Sequence, residues 1–195
     1  MNWKTLAVAA LIGFGLWQHL QNRPVNPGPG VVAAAEPQQA ETASDVFAFK
    51  GYTLQPLQDF SIEARVLGRE TYRSDREADL APVDLALGWG PMSDSAVLDK
   101  VKISQTGRFY FWRVDEFPIP RQDIERSSAN MHMIPADGTI ERRLKDVRPG
   151  QVVRIHGWLV EARSGDGWRW RSSLTRHDTG AGACELIFVR DLQVL

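Results

Sequence analysis

The feature that most constrains this chain is a period-two pattern repeated on both sides of a tight turn. From Val152 to Glu161, Val153, Ile155, Gly157 and Leu159 alternate with Arg154, His156, Trp158 and Val160. Ser164-Gly165-Asp166-Gly167 follows, and Trp168 to Leu174 returns with bulky and polar residues again alternating. Alternation at period two puts one set of side chains on one face of an extended strand and cannot give a helix a single apolar stripe. A Gly-Asp-Gly turn between two such runs is a hairpin signal. An antiparallel sheet is therefore expected, and Phe60, Ile62, Ala64 and Val66 opposite Ser61, Glu63 and Arg65 extend the pattern to the first half of the domain.

The remaining elements are read around these strands. Phe47–Leu57 and Phe60–Leu67 read as two strands with a turn at Gln58-Asp59, and Arg108–Val114 and Glu185–Val194 as two more. A short helix is expected from Ser93 or Asp94 through Lys100, with Val101 on its apolar side, and another after Thr139 as its cap, ending at Pro149-Gly150. Arg121–Ser127 has room for one or two helical turns. There is no internal repeat and no regular strand-helix alternation of a parallel sheet. The fold class expected is α+β: a mainly antiparallel β-sheet or small curled barrel with a few short helices, preceded by an N-terminal hydrophobic helix and a disordered tether.

The chain divides into three parts. Residues 1–22 hold Lys4 and then the uncharged run TLAVAALIGFGLW, the length and character of a signal segment or membrane anchor. Extended from Trp3 to Leu20, the run approaches the ~17 residues that can span a bilayer. Ala33-Ala34-Ala35 suits a signal peptidase but lies far beyond the run, which favours retention as an anchor. Residues 23–44, rich in Pro, Gly, Ala, Gln and Glu, are expected to form a flexible tether, and residues 45–195 the globular domain. The location expected is the bacterial inner membrane, single-pass, with the domain in the periplasm; the alternative is secretion to the periplasm after cleavage.

Of 195 residues, 43% are hydrophobic and 24% charged, enough apolar material for one core. A net charge of −1 argues against non-specific nucleic-acid binding, which needs a basic surface. The partners expected are the membrane, through the N-terminal segment, and an envelope protein or glycan, with no nucleic acid. The single Cys184 allows no internal disulfide.

Two stretches, Ser128–Ala136 and Leu174–Glu185, concentrate reactive side chains in sequence that reads as loop. They supply most of the candidate catalytic residues: Cys184 as nucleophile, His132, His177 or, from the strand between them, His156 as base, and Asp178 or Asn130 to orient the imidazole. The candidate ligand-binding residues are Asn130, Trp158, Trp170 and Arg176, with Trp89 and Trp168 as further members of an aromatic groove. His132, His156, His177 and Cys184 lack the short fixed spacings of a zinc motif, so no metal and no cofactor is assigned. Asp178-Thr179-Gly180 reads as an Asx-type turn, since no second such segment exists to complete an aspartic protease pair.

With APVDLALGWGPMSD, SANMHMIPAD and WRSSLTRHDTGAGACE in view, the chain resembles a family of uncharacterised exported or membrane-anchored proteins of Gram-negative bacteria. The resemblance implies an envelope location and carries no activity. The strand-rich end is similar to small β-barrels of the OB or SH3 type, a likeness of fold that assigns no function.

Overall fold

The computed structural model describes residues 2–21, 23–175 and 184–195. In chain order its elements are α1 (Trp3–Gln21), β1 (Gln38–Ala40), β2 (Phe47–Phe49), β3 (Tyr52–Thr71), β4 (Val83–Gly88), α2 (Ser95–Leu98), β5 (Val101–Thr106), β6 (Phe109–Val114), α3 (Arg121–Arg126), β7 (Ser128–Pro135), α4 (Gly138–Asp146), β8 (Val152–Arg163), β9 (Arg169–Arg171) and β10 (Glu185–Val194). Among the described residues, no helix is long and apolar enough to cross a membrane.

The main sheet runs β3-β4-β7-β10-β8, and β8 pairs again with β3, so the five strands close on themselves. Every pairing in this ring is antiparallel except β7 with β10. That parallel pair needs a long connection, supplied here by α4 and β8. A first strand shared by the second and fourth, a helix between the third and fourth, and parallel third and fifth strands give the connectivity of an OB-type barrel.

The 20-residue β3 makes closure possible. It pairs with β8 over Thr53–Arg65 and with β4 over Arg65–Thr71, with bulges at Leu57 and Leu67 that turn it around the barrel. The turn expected at Gln58-Asp59 is therefore part of one continuous strand. The hairpin turn lies earlier, at Lys50-Gly51, where φ values of 49° and 82° suit a two-residue primed turn. Inside the barrel, Phe60, Ile62, Ala64 and Val66 of β3 meet Val83, Leu85 and Leu87 of β4, Met131 and Met133 of β7, and their counterparts on β8 and β10. Gly157 has no side chain because the backbone of β10 leaves no space: a Cβ there would lie 2.0 Å from Phe188 O.

Helix α4 closes the barrel with Ile140 and Leu144. Its cap is Asp137, whose carboxylate accepts from the N–H groups of Thr139 and Ile140 at 2.7 and 2.9 Å, so Thr139, expected as the cap, is the second residue of the helix. Val101, expected on the helix after Asp94, instead opens β5. Ser128–Ala136, read as loop, is mostly strand β7.

Residues 24–40 lie against the domain, in contrast to the free tether expected of them. Val25 N–H donates to Pro149 O at 2.8 Å, and Gly30 N–H to Asp94 at 2.8 Å. Val32 and Ala33 N–H both donate to Ser93 Oγ, and β1 pairs with β3. Extended backbone rich in Pro and Ala keeps its polar groups free of internal bonds, and here the domain supplies partners, burying Ala33.

Candidate functional site

The chain between β4 and β7 departs from a plain barrel. It forms η-turn residues Gly90–Ser93, α2, the β5–β6 hairpin and α3, and it folds back over the outer face of β4 and β7. The hairpin tip is Gly107-Arg108, with φ values of 56° and 71°. A primed turn demands both, and a side chain at the second position is unfavourable in that region.

Arg108 is held there by its contacts. Its N–H donates to Tyr72 Oη at 3.1 Å, and its guanidinium donates to Ala81 O at 2.8 Å, Asp84 Oδ1 at 3.2 Å and Asp75 Oδ1 at 2.6 Å. It also stacks on the Tyr72 ring, 3.9 Å from the centroid. Asp84 is fully buried, and Asn130 Nδ2 approaches its second oxygen at 3.4 Å. Asn130 also donates to Arg108 O at 3.0 Å and accepts from Gln105 at 2.8 Å. Burial, and then the Asp84 carboxylate, push the Tyr72 phenol up to about 12.

His132, the candidate base, belongs to this network. It is buried on β7 with Nδ1 2.9 Å from Asp84 Oδ1, outside hydrogen-bond geometry, and its ring lies 4.8 Å from that of Trp170. Trp170 in turn packs on Trp168, while Trp158 stacks on Phe188 with Arg190 over its ring at 4.4 Å. Trp158, Trp168 and Trp170 therefore cover the outer face of the sheet, and Trp89 lies apart from them, packed with the residues of the barrel interior. The expected tryptophan groove is not formed as one surface. His156 is exposed on the outer face of β8. Arg176, His177, Asp178 and the Asp178-Thr179-Gly180 turn lie outside the described residues. Among the described residues no cluster of His, Cys, Asp and Glu is arranged to hold a metal.

Between the hairpin, α3 and the start of β7 is a cleft of about 690 Å³. Asn130 and Cys184 both line it, and His132 does not. Its walls are aromatic: Phe109, Phe111 and Phe117 are the large aromatic side chains most exposed on the described domain, at 43%, 51% and 50%, and all three face this cleft. Trp89 and Trp112 form part of the lining, and Arg113, Arg121 and Arg126 stand around it. Tyr110 closes one end: its hydroxyl is 2.7 Å from Ser128 Oγ, which donates to Ile124 O, and burial pushes the phenol up to about 12. The sequence places these residues in a strand, RFYFWRV, but marks none of them as a site. The available signal was the aromatic residues on both faces of one short strand, flanked by arginines.

A second buried carboxylate, Glu161, lies on β8 beside β9. Burial pushes its pKa up, but Arg169 and Arg171, which donate to it at 2.6 and 2.7 Å, together with Arg163, outweigh that and bring it down to about 2. These arginines are half in water, so the cluster braces the β8–β9 hairpin.

The chain matches no family of known proteins, no curated protein and no solved structure.

Proposed function

We propose that this chain is a binding module of the bacterial cell envelope, tethered through its N-terminal apolar segment, and that the cleft beside β6 receives its ligand. The observation that carries the proposal is the convergence of Phe109, Phe111 and Phe117 on one concave surface. Contiguous exposed aromatic surface is costly in water and marks a place that something covers. The volume of about 690 Å³ is within the span typical of ligand sites. The uncharged run from Thr5 to Trp17 supports delivery to the membrane or the export machinery, whether the segment is kept as a single-pass anchor or removed.

An envelope hydrolase or transferase using Cys184 is the second reading, favoured by the position of Cys184 on the cleft. It needs a base at the sulfur, and His132, which lies against Asp84 and Trp170, does not line the cleft that Cys184 lines.

The test is tryptophan fluorescence of the full chain, titrated with defined peptides and cell-wall glycan fragments. Trp89 and Trp112 in the cleft wall supply the signal. Binding is expected for wild type and Cys184→Ala and lost in Phe111→Ala/Phe117→Ala. Undiminished binding by the double variant would remove the cleft from the proposal, and loss in Cys184→Ala alone would favour the enzyme. Recovery of the untagged protein wholly in the cytosol would refute the envelope assignment.

A further inference from the structure

We infer that the cleft takes an extended acidic peptide, which adds as a strand to the edge of β6 that is left unpaired among the described residues. This rests on the cleft being the ligand site and names what fills it.

The lining gives the orientation. Side chains along a strand point alternately to opposite faces, so a ligand lying on one face of β6 meets every second residue. All six residues from Phe109 to Val114 line this cleft, and no residue of β5 does. The cleft therefore runs along the edge of β6 away from β5. The opposite wall repeats the pattern: Ser128, Ala129 and Asn130 are consecutive, and they precede the point where β7 begins to pair with β10, at Met131 opposite Glu185. Two strand edges face each other across the gap.

The hairpin register identifies the backbone groups on that edge. A two-residue primed turn makes Thr106 and Phe109 a hydrogen-bonded pair, so Phe111 and Arg113 also bond to β5. Tyr110, Trp112 and Val114 then direct their N–H and C=O groups away from β5, into the cleft. Β-strand addition draws affinity from such a row and selectivity from the side chains beside it. Those side chains favour acidic partners. Arg113, Arg121 and Arg126 surround the cleft against Glu125 and Glu185, and Glu125 is already bonded to Arg121 at 2.8 Å. The unpaired row of N–H and C=O groups on β6 favours a peptide backbone over a glycan, which has no matching row to offer. Six residues of β6 span about 20 Å, which a hexapeptide matches.

The test uses fluorescence anisotropy on the full chain with a fluorescein-labelled hexapeptide of alternating valine and glutamate. Comparators are its valine-lysine counterpart, two versions N-methylated at alternate residues in opposite registers, and a labelled N-acetylglucosamine tetramer. The glutamate peptide is expected to bind, the lysine peptide about tenfold more weakly, and one N-methylated register about tenfold more weakly or worse, as loss of several backbone bonds requires. Val114→Pro, which removes an outward N–H and leaves the β5 ladder intact, should weaken binding well beyond Val114→Ala. Peptide binding indifferent to both N-methylated registers and to Val114→Pro would overturn strand addition. So would binding of the tetramer alone, but if Phe111→Ala abolished that binding, the cleft would stand as the ligand site. Failure of every probe at millimolar concentration would also overturn the inference, since backbone pairing does not depend on peptide sequence.

Discussion

Removing the Arg108 side chain tests whether the β5–β6 hairpin is fastened to the barrel by the Asp84 network. Asp84 is 0% exposed and the Arg108 side chain 13% exposed, so Arg108→Ala leaves a carboxylate in the interior without its guanidinium. Breaking a buried ion pair from one side costs about 3–5 kcal/mol. Asn130 and His132 remain beside Asp84, which places the loss at the low end, about 3 kcal/mol. Arg108→Gly loses the same contacts but relieves the left-handed backbone at φ 71°, which returns about 1 kcal/mol relative to alanine. Asp84→Asn keeps Arg108 bonded to Asp75 and Ala81 O and should cost about 2 kcal/mol. In the double variant Arg108→Ala/Asp84→Asn no charge is stranded, so the single losses should fail to add by about 2 kcal/mol. Urea denaturation followed by far-ultraviolet circular dichroism gives all four values. A loss below about 1 kcal/mol in Arg108→Ala, additive single variants, or a glycine variant weaker than the alanine one would refute the reasoning.

Glu161 gives a pH-dependent counterpart. Its fall from 4.5 to about 2 converts to about 3 kcal/mol, and the half-exposed partners, Arg163, Arg169 and Arg171, reduce this to about 2 kcal/mol. A depressed carboxylate stabilises above its unfolded value and loses that contribution as pH falls through its folded one. Glu161→Gln should therefore be about 2 kcal/mol less stable than wild type at pH 7, and the gap should close between pH 4.5 and about pH 2 in denaturation series. A gap that persists unchanged at pH 2 would sink this account. At Gly157, a Cβ would lie 2.0 Å from Phe188 O, so Gly157→Ala must part β8 from β10 and cost about 3 kcal/mol, whereas Gly165→Ala meets open space and should stay within about 0.5 kcal/mol. Thermal melts of the two variants compare them directly, and equal melting temperatures would refute the close packing.

The antiparallel α+β architecture was legible wherever one strand face is core and the other polar. Val153, Ile155 and Leu159 in β8 are buried as their spacing required, and the hairpin through Ser164–Gly167 connects β8 to β9. The reading failed where tertiary structure overrides that contrast. In β3 the polar pair Gln58-Asp59 follows a bulge and suggested a turn, although both residues pair with β8. In β7 the alternation was present, with Met131 and Met133 inward and Asn130 and His132 outward, but its outer residues are also buried, Asn130 under the inserted hairpin and His132 against Trp170. Residues 24–40 resembled a free linker because nothing in their composition reports that Ser93 and Asp94 wait to bond their backbone. Asn130 and Cys184, singled out for their chemistry, both line the cleft. The phenylalanines opposite them were read only as strand, because which edge of a hairpin stays open is decided by the rest of the fold.

The inserted hairpin also explains why Asp84 and His132, which look reactive, stand outside the proposed binding surface, whereas Asn130 lines it. In OB-type barrels the face of the second and third strands commonly receives the ligand. Here those strands are β4 and β7, and their outer face carries Asp84, Asn130 and His132, the polar set that would attract a functional reading. Gln105, Arg108 and Tyr110 occupy that face from above through hydrogen bonds to Asn130, Asp84 and Ser128. Asp84 and Asn130 thereby fix the hairpin, and the hairpin brings an edge of its own, β6, with Phe109 and Phe111 beside it. An added strand requires a rigid anchor on one side and an unpaired edge on the other, so in the proposed mode of binding the buried network would act by positioning β6. Arg108→Ala should for that reason weaken the cleft without touching it.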